Sequence, residues 1–157
     1  MNKSISVKQE KALETFRSGL NCAQSVLMAF QKESGKDLNQ VMALSAGFGG
    51  GMGRLQLTCG ALTGAFMAIG QYCSKKYSGY DIIKDHSYKM IQDVHSKFIA
   101  LHNVSDCRSL LEVDLNQVSG RKKMNDNKLY ESVCEKYVLT AVAILEEEFA
   151  DDAIAID

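Results

Sequence analysis

The chain has 157 residues, 46% of them apolar and 24% charged, with a formal net charge of −1. This is the composition of one ordinary globular domain spanning 1–157, large enough to bury about two-thirds of its unfolded surface, and it excludes a disordered chain. A charge balance so close to neutral gives no electrostatic footing for nucleic acid or an acidic membrane surface.

Residues 6–18 carry Val7, Ala12, Leu13 and Phe16 on a weak helical stripe that Gly19 closes. A second helix is predicted from Cys22 to Ser34, with Ala23, Val26, Leu27 and Phe30 at i, i+3, i+4 and i+7 and Gly35 as its stop. A third starts near Asp37, holds Leu38, Val41, Met42 and Leu44, and breaks at Ala46-Gly47. The glycine-dense run from Gly47 to Arg54 is a loop. A fourth helix, Cys59 to Lys75, is apolar on almost every face and is expected to be the buried central element. Its Gly60–Gly64 and Ala61–Ala65–Ala68 rows offer a smooth face for a neighbouring helix. Beyond Ser78-Gly79 a long helix is expected over Tyr80–Leu101, then a short one over Asp106–Glu112 and an irregular connection over 113–127. The last helix is predicted over Lys128–Phe149, followed by an acidic tail, 151–157, expected to fray. Proline is absent and no segment alternates with a strand period. The fold class is therefore all-α: a single-domain bundle of six to seven helices.

Residues 1–10 lack the apolar run of a secretory signal. The most apolar stretch, Cys59 to Ile69, falls short of the ~20 residues that a bilayer span needs. A cytoplasmic location without membrane insertion is expected, where the five cysteines are reduced by default rather than locked in a disulfide framework.

The cysteines carry the chemistry. Asn21-Cys22, Thr58-Cys59 and Ser105-Asp106-Cys107 each place a thiol beside a residue suited to cap a helix. This puts Cys22 and Cys59 near the first helical position and Cys107 near the second, where free amides and the helix dipole favour a thiolate. Arg54, upstream of Cys59, adds positive charge, so Cys59 is expected to be the most activated thiol, with a pKa below the ordinary ~8.5. Cys73 and Cys134 sit inside helices and read as small core hydrophobes. No Cys-x-x-Cys pair is present, which disfavours zinc and a thioredoxin motif. The glycine run has neither a Gly-Lys-Ser/Thr nor a dinucleotide spacing. Two readings of it stay open: a loop that admits substrate to Cys59, or a sharp turn between packed helices. His95 and His102 are about 10 Å apart along their helix, too far to share a metal, and Glu146–Glu148 reads as a solvated face.

Asn21-Cys22-Ala23-Gln24-Ser25-Val26, the loop Gly47–Arg54 and Cys59-Gly60-Ala61-Leu62-Thr63-Gly64 together resemble the C_GCAxxG_C_C family of redox-active proteins. The resemblance runs from Cys22 to Cys134. It implies four functional cysteines, Cys22, Cys59, Cys107 and Cys134, with Cys73 as an extra. The leading expectation is thiol–disulfide chemistry or electron transfer with an unidentified redox partner. In it Cys22, Cys107 or Cys134 resolves a disulfide formed on Cys59, and Gly60, Gly64 and Arg54 line the cofactor or substrate side. The alternative uses the same four thiolates as ligands of an iron–sulfur cluster or another soft metal. A third reading is a helical module that forms a homodimer through small-residue faces without chemistry.

Overall fold

The structure is a computed structural model that describes residues 4–34 and 37–154. Ten helical segments follow in order: α1 (Val7–Arg17), α2 (Cys22–Ala29), α3 (Gln31–Ser34), α4 (Leu38–Ser45), α5 (Gly49–Met52), α6 (Gly60–Lys76), α7 (Tyr80–His102), α8 (Cys107–Leu111), α9 (Val118–Asp126) and α10 (Glu135–Ile154). A 3-10 turn (Ala46–Phe48) precedes α5 and a π-helical turn (Tyr130–Cys134) precedes α10. Among the described residues there is no strand, only an isolated antiparallel bridge between Thr58 and Asp106. No described helix is long and apolar enough to cross a membrane.

The core forms where apolar stripes meet. α6 packs against α2, α7 and α10, and α1 packs against α2 and α10. Val26, Leu27, Leu62, Ile69, Val94, Phe98, Val138, Val142 and Leu145 are fully buried between them. α1 begins with a capping box: Ser6 Oγ accepts from the Gln9 N–H (3.1 Å) while Gln9 Oε1 accepts from the Ser6 N–H (2.9 Å). The same residues reach α10, through Gln9 Nε2 to the Leu139 carbonyl (3.0 Å) and Ser6 Oγ to Glu146 Oε2 (2.7 Å). Arg17 grips Glu135 with two parallel hydrogen bonds of 2.7 and 2.8 Å.

Several expected boundaries move. The expected second helix breaks at Phe30, whose backbone (φ −111°, ψ 11°) separates α2 from α3; the stop assigned to Gly35 lies outside the described residues. α6 is fully buried over its first turns but exposes Ser74 and Lys75 near its end. The connection expected to be irregular contains α9. Its polar sequence buries only Gly120 and Met124, so it shows no apolar stripe. A Cβ on Gly120 would lie 1.8 Å from the Asp114 carbonyl oxygen, so a missing side chain rather than a hydrophobic period docks this helix. Glu148, in the run expected to be solvated, is 9% exposed and pairs with Lys97 at 2.7 Å.

The acidic tail also differs from expectation: α10 continues to Ile154, and 155–157 lie outside the described residues. Asp152 accepts from Lys76 Nζ and from the hydroxyls of Tyr72 (2.9 Å) and Tyr77 (3.2 Å), and its carbonyl accepts from Lys76 at 2.8 Å. Asp152→Asn is expected to cost about 1–2 kcal/mol, between the values typical of exposed and buried pairs. Urea unfolding measures this, and an unchanged midpoint would show that the pair contributes nothing.

Candidate functional site: four converging cysteines

Cys22 opens α2. The Asn21 side chain caps it, accepting from the Gln24 N–H at 3.0 Å, while Gln24 Oε1 returns the bond to the Asn21 N–H at 3.1 Å. Asn21 Nδ2 donates to the Ala46 carbonyl (3.0 Å), tying the start of α2 to the glycine segment. That segment is left-handed. Gly50, Gly51, Met52, Gly53 and Arg54 are five successive residues with φ between 62° and 67°. The two non-glycines each cost about 1–2 kcal/mol in this conformation. The turn lets backbone approach side chains closely: a Cβ on Gly49 would sit 2.5 Å from Asn21 Cβ, and one on Gly51 2.8 Å from Cys107 Cβ. Of the two readings left open for the loop, the packed turn matches this geometry.

After the turn, Leu57 to Cys59 runs beside Ser105 to Cys107. The Cys59 N–H donates to the Ser105 carbonyl (2.8 Å) and the Cys107 N–H to the Leu57 carbonyl (2.7 Å), flanking the Thr58–Asp106 bridge. This corrects two caps. Thr58 does not cap α6; Cys59 itself occupies the N-cap position, and Cys107 is the first residue of α8, capped by Asp106 through the Ser109 N–H at 2.7 Å. Bridge pairing, absent from a helical reading of the sequence, takes Thr58 out of the cap.

Gln56 was not singled out by the sequence, where it is one glutamine between two leucines. It is 4% exposed and left-handed (φ 58°). Its Oε1 accepts from the Leu115 N–H (2.8 Å) and from Arg108 (3.2 Å), and its Nε2 donates to the Val113 carbonyl (2.8 Å). It also favours the ionised form of Cys107 by hydrogen bonding. No local pattern marks such a residue, because all its partners are distant in sequence.

Cys134 ends the π-helical turn, a geometry that recurs at functional sites. Its thiol acts on Cys22: that interaction is the largest influence on Cys22 and, with burial, raises it well above the ordinary thiol range. The charge of Cys22 acts on Cys59 and on Cys107, and that of Cys59 on Cys107. All four sulfurs are therefore neighbours. Cys73 is not among them; it faces α7, with its sulfur 3.7 Å from Met90 Sδ.

The expected activation of Cys59 is overturned. Burial, reinforced by the Cys22 sulfur, pushes Cys59 up to about 12, although the amides of Ala61 and Leu62 favour its anion. Burial likewise pushes Cys107 up to about 12, with Cys59, Cys22 and Asp106 adding repulsion. Arg54 does not offset this. Its side chain is exposed, and its charge acts on the Tyr130 hydroxyl, which burial and the Cys134 sulfur raise. Gly60 and Gly64 do not face a ligand either. A Cβ on Gly60 would lie 3.0 Å from Cys22 Cβ and one on Gly64 2.6 Å from the Ala23 carbonyl oxygen, so α2 fills the space. These glycines bring Cys22 to Cys59.

Among the described residues, no three His, Cys, Asp or Glu side chains converge in a geometry that would hold a metal ion. As placed here, the four thiols do not meet that geometry. The histidines serve elsewhere: His95 bonds Ser105 (3.0 Å), His102 bonds Thr140 (3.1 Å), and His86 stacks on Tyr77.

A family model described as "Putative redox-active protein (C_GCAxxG_C_C)" matches residues 20–148. No curated protein and no solved structure matches the chain.

Proposed function

Because the chain belongs to the C_GCAxxG_C_C family, whose description supports a general redox role, we propose that it is a dithiol–disulfide redox protein whose working couple is Cys22 and Cys134. One observation carries this reading: the Cys134 thiol, far away in sequence, is the group that acts most strongly on Cys22. Cys22 is also half-buried, whereas Cys59, Cys107 and Cys134 are buried, so a partner's sulfur reaches the site through Cys22.

The co-reactant is a disulfide on a partner protein. The Cys22 sulfur attacks it, forming a mixed disulfide and releasing one partner thiol. Cys134 then attacks the Cys22 sulfur, closing Cys22–Cys134 and releasing the second partner thiol. The chain gives up two electrons and two protons, and the partner's disulfide takes them up.

Oxidation by a disulfide reagent, followed by acid quench and peptide mapping, is expected to find Cys22 linked to Cys134. In the reduced protein at pH 7.5, iodoacetamide is expected to label the half-buried Cys22 first and the buried Cys59 at least about tenfold more slowly, since the reagent reaches Cys22 more readily. Oxidised protein with no Cys22 linkage would overturn the proposal. So would an absorbance band near roughly 400 nm after anaerobic purification, the mark of an iron–sulfur cluster on the same thiolates.

A further inference from the structure

The Cys22–Cys134 couple leaves Cys59 and Cys107 without a task, although both are buried against it. The Thr58–Asp106 bridge sets their relation. Across such a pairing Cys59 lies opposite Ser105, and Cys107, two residues further, shares its face. Diagonal neighbours of this kind are about 7–8 Å apart, at or just beyond the ~7 Å limit for a disulfide, so closing one takes a small backbone movement. Cys22 lies beside Cys59: Gly60, directly after Cys59, rests on Cys22, with 3.0 Å between the Cys22 Cβ and the position a Gly60 Cβ would take. The Cys22 charge acts on both Cys59 and Cys107, and Cys134 acts on Cys22. Cys22 is thus linked to each of the other three.

Resting on the dithiol reading above, we propose that Cys22 is an exchange hub that hands its disulfide inward to Cys59 and Cys107, so that one accessible couple loads a second, buried one. Cys59 attacks the Cys22 sulfur: the Cys59–Cys22 bond forms, Cys22–Cys134 breaks, and Cys134 takes the proton that Cys59 gave up. Cys107 then attacks the Cys59 sulfur: Cys59–Cys107 forms, Cys59–Cys22 breaks, and Cys22 takes the proton. No electrons enter or leave in these two steps. A second partner disulfide then reoxidises Cys22 and Cys134, and the chain has given up four electrons and four protons in all. Cys59 and Cys107 are buried while Cys22 is half-exposed to the oxidant, and the inward transfer also needs a backbone movement, so it is slower than loading.

The test is timed oxidation by oxidised glutathione, with acid quench, maleimide blocking under denaturing conditions, intact mass and peptide mapping. The unaltered protein is expected to carry two fewer maleimide adducts and then, in a slower phase, four fewer. Cys22–Cys134 is expected to appear first and Cys59–Cys107 second. Cys134→Ser combined with Cys107→Ser is expected to trap Cys22–Cys59, and Cys22→Ser to form neither disulfide. If the unaltered protein stops at Cys22–Cys134 and the doubly substituted protein yields no Cys22–Cys59 link, the hub is overturned while the couple stands. Cys59–Cys107 forming in Cys22→Ser at the unaltered rate overturns the hub as well. No disulfide at all in the unaltered protein overturns the dithiol reading itself.

Discussion

Raising the pH of the reduced protein from 8 to 11 is expected to remove most of its stability. Cys59 and Cys107 are held near 12 in the folded state, while the same thiols in an unfolded chain ionise near their ordinary value of about 9. Below pH 8 both states keep the proton, and stability does not depend on pH through these groups. Between about 9 and 12 the unfolded chain has lost protons that the folded one retains, so each pH unit favours unfolding by about 1.4 kcal/mol per thiol. Two such thiols cost about 5 kcal/mol by pH 11, the size of the whole stability of a marginal domain. Urea midpoints at pH 7.5, 9, 10 and 11 under reducing conditions measure the fall. Cys59→Ala is expected to reduce the slope by the share of one thiol. An identical slope in that variant would mean that Cys59 is not buried as a neutral thiol.

Gly64→Ala is expected to damage the packing of α2 on α6. The new Cβ would lie 2.6 Å from the Ala23 carbonyl oxygen and 2.8 Å from Ala23 Cα. These are backbone atoms that no rotamer change can move, so α6 must shift away from α2. Overpacking of this kind costs about 1–3 kcal/mol. The shift also carries Cys59 away from Cys22, so the slow oxidation phase is expected to slow further or vanish while Cys22–Cys134 still forms. Gly70→Ala on the same helix is the control. Nothing lies within 4 Å of its Cβ position, and the substitution is expected to stabilise by about 0.5–1 kcal/mol through helix propensity. Equal tolerance of the two substitutions would show that the small-residue row does not set the approach of α2 to α6.

What could be read beforehand was what is local. The starts of α2 and α4 follow from Asn21 and Asp37, whose side chains accept the backbone N–H groups three residues on. The i, i+3, i+4 spacing gave the long helices for the same reason. The gathering of Cys22, Cys59, Cys107 and Cys134 was legible only through the resemblance, since no spacing rule joins sulfurs so far apart. The state of Cys59 was misread because its amides are local and its burial is not; the terms oppose, and the distant one wins. Arg54 failed as a thiolate partner because the left-handed turn, invisible in a count of five residues, turns it outward. Gln56 and α9 carried no signal, since their docking depends on partners supplied by other segments.

The order in which the four sulfurs are made has its own consequence. Cys22, Cys59 and Cys107 belong to α2, the start of α6 and the start of α8, while Cys134 enters only with the turn that leads into the last helix. A chain still being synthesised lacks the sulfur that the half-exposed Cys22 meets, and gains it once α10 docks against α1, α2, α6 and α7. On the proposed reading, the Cys22–Cys134 couple then arrives together with the finished fold. A truncated or stalled chain carries Cys22 without Cys134, so loss of the last helix should leave the half-exposed sulfur without its resolving partner.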